Sequence, residues 1–293
     1  MDFLSSILEQ GLIYGIMALG VYITYKILDF PDLGVDGTFP LGAAVTATLL
    51  KAGVNPYLTL PIAFAAGLIA GTCTGLIHVK FKVRDLLSGI IMMTGLYTIN
   101  LYIATTNNVS LYSTETIFRN SLMTKIFGET IPGWADLLII LVLILICKLL
   151  LDLYMKTQSG YLLRAVGDND GIVTALAKDK GNVKILGLAI SNALVALSGS
   201  VFAQQSRVFD ISMGTGALVV GLASVIIGIS FFRKASFVKT TTAVILGSIF
   251  YKACVAMALK VAGATATKLI TAVLFLIILI VSIDRKKKVK IHA

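Results

Sequence analysis

An all-α, polytopic membrane fold is what this sequence predicts, and three observations predict it. The first is composition: of 293 residues, 57% are hydrophobic and 14% charged, with a mean hydropathy of +0.92. That leaves too little polar surface to cover a water-soluble globule of this size. The second is length: apolar runs of about 20 residues, enough to cross a hydrocarbon core, recur along the whole chain. The third is charge: the net +10 comes from basic residues gathered between or beyond those runs, a topology signal rather than a polyanion-binding face.

Taken in order, the runs predict about nine spans, within a range of eight to ten, near residues 4–26, 36–52, 58–79, 85–106, 135–155, 183–205, 214–232, 237–258 and 267–283. The first, MDFLSSILEQGLIYG onward, lacks the basic start and small-residue cleavage site of a signal peptide and is read as a span. No soluble domain separates from the rest, so residues 1–293 form one transmembrane domain. It carries an external loop at 107–134, a polar loop at 156–184 and a basic tail at 284–293. The external loop predicts a short helix at 121–127 and ends in Ile131-Pro132-Gly133-Trp134, where Trp134 suits a membrane interface. Seventeen Lys and Arg fall in one alternate set of gaps and six in the other. By the positive-inside rule, the polar loop and C-terminus are cytoplasmic and the N-terminus outside. Lys148 and Lys252 fall inside spans, near enough to the ends to snorkel.

Within the polar loop, Gly160 to Val183 reads GYLLRAVGDNDGIVTALAKDKGNV. It is too charged to insert and rich in helix-forming Ala and Leu, so it lies at a membrane face as a docking segment. A short helix is predicted from Asp168 to Ala177, with Gly171 and Ala175 small enough for close approach.

Two regions interrupt the spans: Asp29 to Gly42, DFPDLGVDGTFPLG, and Phe209 to Gly216, FDISMGTG. Irregular backbone at membrane depth survives only where protein or a water-filled cavity satisfies it. Each region carries Asp, then Gly-Thr, then a resumed small-residue helix, and the spans preceding them run in opposite directions. An inverted repeat with a substrate path between its halves would show this, as would coincidence.

Candidate lining residues follow from helical spacing. Met93, Tyr97 and Asn100 fall on one face of the fourth span, a polarizable surface suited to an aromatic amino acid. Asn100 serves equally as interhelical glue. In the sixth span Ser191, Ser198 and Gln205 form a stripe beside Asn192, able to line a path or to pack against a second subunit. Asp36 and Thr38 sit where the second span restarts; Asp36 serves there as a helix N-cap or as a contact for a substrate ammonium.

Leu19-Gly20, then Asp36-Gly37-Thr38 and Leu41-Gly42-Ala43, resemble the start of permease subunits of ABC importers of the branched-chain amino acid and ribose type. Arg164-Ala165-Val166-Gly167-Asp168-Asn169 and Gly181-Asn182-Val183 resemble that family's cytoplasmic loop, and Ala223-Ser224-Val225-Ile226-Ile227-Gly228 a further signature. DFPDLGVDGTFPLGAA and SGIIMMTGLYTINL resemble a small subfamily paired with binding proteins for tryptophan or tyrosine. The resemblance spans nearly the whole chain. It departs at Val35-Asp36-Gly37, where better-known branched-chain permeases carry Ala-His-Gly, which leaves the solute open.

The resemblance implies a bacterial inner-membrane permease, a homodimer with its path at the subunit interface. It also implies two cytoplasmic ATPases docked on the polar loop and an external binding protein or lipoprotein. Arg164, Gly167, Asp168, Asn169, Gly171, Ala175 and Gly181 would then couple to the ATPase, which holds ATP and Mg, with no cofactor on this chain. The residues agree: no G-x-x-x-x-G-K-[ST] loop is present to cradle phosphates. The competing expectation is an ion-coupled secondary transporter, which needs titratable groups deep in the spans, and Asp32 and Asp36 are the ones that keep it open. An intramembrane serine protease is disfavoured, because Ala196-Leu197-Ser198-Gly199 lacks a leading glycine and His78 is the sole histidine outside the tail. Cys73, Cys147 and Cys254 have no ligand spacing, which argues against a metal site.

Overall fold

The computed structural model of the protein describes residues 2–127, 133–168, 180–232, 239–262 and 269–280. Eleven helices occupy them: α1 (Asp2–Val21), α2 (Val35–Lys51), α3 (Pro56–Val79), α4 (Asp85–Ala104), α5 (Ser121–Phe127), α6 (Gly133–Tyr154), α7 (Gln158–Asp168), α8 (Lys180–Ser206), α9 (Ala217–Phe232), α10 (Thr240–Ala262) and α11 (Leu269–Ile280). Seven helical segments are long and apolar enough to cross a membrane; α2, at 17 residues, and α11 are shorter. The nine predicted runs therefore all meet helix, but seven satisfy a full-span criterion. α2 is short because the chain before it is irregular.

α8 is the axis of the fold. It packs most extensively on α3, then on α2 and α1, while α10 packs on α9 and α1. The α3–α8 contact follows from Gly67, Gly71 and Gly75, spaced by four so that they share one face. A Cβ on any of them would strike α8 at Asn192–Ala196, Leu188–Ala189 or Ile185 respectively. Small residues are what bring helices together in a bilayer, where apolar burial gives no net drive. At Gly42 of α2 a Cβ would overlap the Ala196 carbonyl, so the two backbones touch.

The bundle has two ends. At one, Glu9 near the start of α1 meets Gln205 near the end of α8, and β1 (Asn108–Ser110) pairs antiparallel with β2 (Val208–Asp210). Beside them Arg119 pairs with Asp136 at 2.8 Å, and the Gln204 side chain accepts from the Ile117 amide, tying the predicted external loop to α8. At the other end lie α7 and the turn after α1, so close that a Cβ on Gly167 would overlap the Ile27 carbonyl. Asp152 there binds Lys148 at 3.1 Å, Lys239 at 3.2 Å and Thr241 at 2.8 Å, joining α6 to α10. Lys148 thus has an ion-pair partner in place of the predicted snorkelling, and Lys252 packs over the Tyr14 ring.

Candidate functional site

The two interrupted regions meet. α1 widens into a π-helical turn at Tyr22–Ile27, and Asp29 then takes a left-handed φ of 52°, which stops the helix and turns the chain back. The returning segment reaches Asn192, close to the middle of the 27-residue α8. There Asp32, fully buried, accepts from the Asn192 amide at 2.7 Å and from the Gly34 N–H at 2.8 Å. Thr38 donates to the Asn192 side-chain oxygen at 2.7 Å and so closes the network. A carboxylate at this depth persists only with such partners.

Asp36 reaches the second interruption. Its carboxylate accepts from the Gly216 and Leu218 amides at 3.0 and 2.8 Å, capping the start of α9. Residue 216 has φ +83°, which suits glycine, and a Cβ at Gly214 would overlap the Asp36 carbonyl. Asp36 is therefore an N-cap for a different helix from the one it begins. Just outside the spans, Asp210 is held below the ordinary carboxylate range by the Ser212 hydroxyl and amide.

The predicted lining residues separate into three groups. Ser191 donates to the Gly20 carbonyl at 2.8 Å, Ser198 to the Ile13 carbonyl at 2.7 Å, and Gln205 to Glu9 at 3.1 Å. Together with Asn192 these α8 residues are engaged inside the subunit. Asn100 is buried and donates to the Gly37 carbonyl at 3.0 Å, joining α4 to α2, while its own oxygen has no hydrogen-bond partner among the described residues. Met93 is half-buried, with its backbone against Gly37 of α2 on the same side as Asn100, and Tyr97 is 51% exposed.

Of the predicted coupling residues, Arg164 is exposed on α7 and Gly181 is buried at the start of α8. Gly167 packs on Ile27, and Asp168 ends α7. Asn169, Gly171 and Ala175 lie outside the described residues. Sequence reading did not single out Gln204, Ser200 or Thr46. Gln204 donates to Thr59 at 3.0 Å and Thr46 to Ser200 at 2.6 Å, and nothing in their spacing distinguishes them from neighbouring polar residues. No group of three His, Cys, Asp or Glu able to hold a metal ion occurs among the described residues.

Residues 3–282 match the family described as the permease component of the branched-chain amino acid transport system. The chain belongs to that family. It is 46% identical over 272 residues to the tyrosine transport system permease protein of Clostridioides difficile (strain R20291), covering 92% of this chain and 88% of the relative. It is 22% identical over 229 residues to the ribose import permease protein of Haemophilus influenzae, covering 78% and 68%. Among solved structures, an inward-facing ABC transporter of metal-chelate type shares the fold, with a TM-score of 0.54 at 17% identity over 93% of this chain and 84% of that one. The chain is thus a multi-span permease component of the ABC transporter type.

Proposed function

We propose that this permease is the membrane-spanning subunit of an ATP-driven importer of a free amino acid, with tyrosine or tryptophan foremost and the branched-chain amino acids next. The likeness to the tyrosine transport permease carries the reading. The exposed Tyr97 ring on α4, with the half-buried Met93 one turn before it, supports it, because an aromatic ring and a thioether suit an aromatic side chain. In this reading two copies place their α4 faces along a shared path, and an external binding protein delivers the solute. Two ATPases dock on the end of the bundle that carries α7, which the positive-inside rule makes cytoplasmic. ATP and Mg belong to those partners, and residues 164–181 transmit their closure to Ile27 and the broken segment that follows it.

An ion-coupled carrier is the one other reading that an observation favours, since Asp32 lies buried at mid-depth. Uptake in proteoliposomes separates the two. The importer requires the ATPase, the binding protein and ATP, and persists when the proton gradient is dissipated. Gradient-driven uptake by this chain alone would transfer the assignment to the carrier class, with Asp32 and Asp36 as its first residues to neutralise. Tyrosine, tryptophan and leucine are tested in that order with ribose as control. Saturable uptake of ribose alone would overturn the amino-acid assignment.

A further inference from the structure

At the end of the bundle away from α7, a cavity of about 300 Å³ opens between the first turns of α1 and the last turns of α10. Its polar lining is Ser6, Gln10, Lys252 and Lys260. The Lys260 ammonium sits at the mouth, 3.6 Å from the centre of the Phe3 ring, within the last turn of α10. Lys252 is two turns deeper, about 12 Å along the helix at 1.5 Å per residue. Its ammonium lies 3.5 Å from the centre of the Tyr14 ring, which in turn stacks on Phe39 at 5.6 Å. Among the described residues neither ammonium forms an ion pair. The nearby Glu9 carboxylate is engaged by Gln205.

Two lysines on one membrane-facing cavity, each resting on an aromatic face, make a lining suited to an anion. The rim decides what kind of anion. Phe3, which lines the cavity, is 42% exposed, and Leu4 and Met257, next in sequence to the lining residues Phe3 and Ala256, are 67% and 57% exposed, so the surface beside the cavity is apolar and lies against lipid rather than water. A soluble anion gains nothing from that rim, whereas acyl chains do. We infer that this cavity binds the headgroup of an anionic phospholipid from the leaflet opposite the polar loop. The phosphodiester rests on Lys260 at the mouth. The glycerol ester carbonyls below it accept from Gln10, Lys252 closes the cavity floor, and the acyl chains run over Leu4 and Met257. The bound lipid would hold α1 to α10 and so brace the helix that leads into the broken segment.

The test uses the full-length protein, delipidated in neutral detergent, and follows its thermal unfolding and the lipids it retains in native mass spectrometry. Phosphatidylglycerol should raise the midpoint by about 3 °C at saturation and remain bound, while phosphatidylcholine of the same acyl chains should not. K260Q, read against its own lipid-free midpoint, should at least halve the rise, and the K252Q/K260Q pair should remove it. Equal rises with the two lipids, or an undiminished rise in K260Q, would overturn the site even if the double variant fails to fold. An equal rise from inorganic phosphate would make it a free-anion site and overturn the lipid assignment.

Discussion

α8 and α4 are both apolar helices that carry polar residues, yet they use them in opposite ways. α8 is buried along most of its length, and its Ser191, Asn192, Ser198 and Gln204 each reach another helix or its connecting turn. α4 is largely uncovered; it spends Asn100 on α2 and leaves Tyr97 and Tyr102 exposed. Hydrogen bonds between helices are worth about 1 kcal/mol each in a membrane, so a helix with many is a structural spine. A helix with few is free to meet a solute or a second subunit. The lesson is that a polar stripe on a transmembrane helix marks mortar when its partners are backbone carbonyls at fixed positions, and marks a pathway only when they are missing.

The contrast can be broken most severely at the spine's closest contact. Gly42→Leu would force a side chain into the Ala196 carbonyl, at a cost beyond about 4 kcal/mol, and should abolish recovery of folded protein from the membrane. If the variant is recovered with wild-type thermal stability, α2 and α8 do not touch there. Gly95→Leu on α4, with open space around the same position, is the control and should be recovered normally.

A smaller effect is expected from Asn192→Leu, which leaves the buried Asp32 carboxylate and the Thr38 hydroxyl without a side-chain partner on α8. Loss of a hydrogen bond to a buried charged group amounts to about 3 kcal/mol, read as a lowered unfolding midpoint in detergent. Asp32→Asn on that background should recover part of the loss, because the residual group is then neutral. Failure of the second change to help would mean that Asn192 and Asp32 are not coupled in this way.

Tyr97→Ala sharpens the comparison from the other side. Stability should move by no more than about 0.5 kcal/mol, as for exposed positions generally. The KM for tyrosine uptake in the assembled importer should rise about three- to tenfold, the value of one lost aromatic contact. A large loss of stability with unchanged KM would place Tyr97 in the same structural class as the α8 residues.

Sequence alone determined that the chain is a helical membrane protein. It gave the approximate limits of the spans, both broken regions, the helix at 121–127 and the polar segment after residue 156. Those are local properties: hydropathy over a turn-length window, the backbone limits of Pro and Gly, and charges that cannot enter lipid. The count of full spans was less legible, because α2 and α11 fall near the length at which crossing and partial insertion look alike in sequence.

Partnership was decided only in three dimensions. Asp36 caps α9 across 180 residues of sequence, and Asp32 finds Asn192 across 160. The composition of DFPDLGVDGTFPLG shows that its carboxylates need satisfying, but not by which amides. A helix's own pattern likewise cannot say whether Ser198 faces a carbonyl of α1 or a solute, because both occupy the same angular position on the helix. That choice belongs to the neighbouring backbone, which glycines at 42, 67, 71 and 75 bring close enough to claim it.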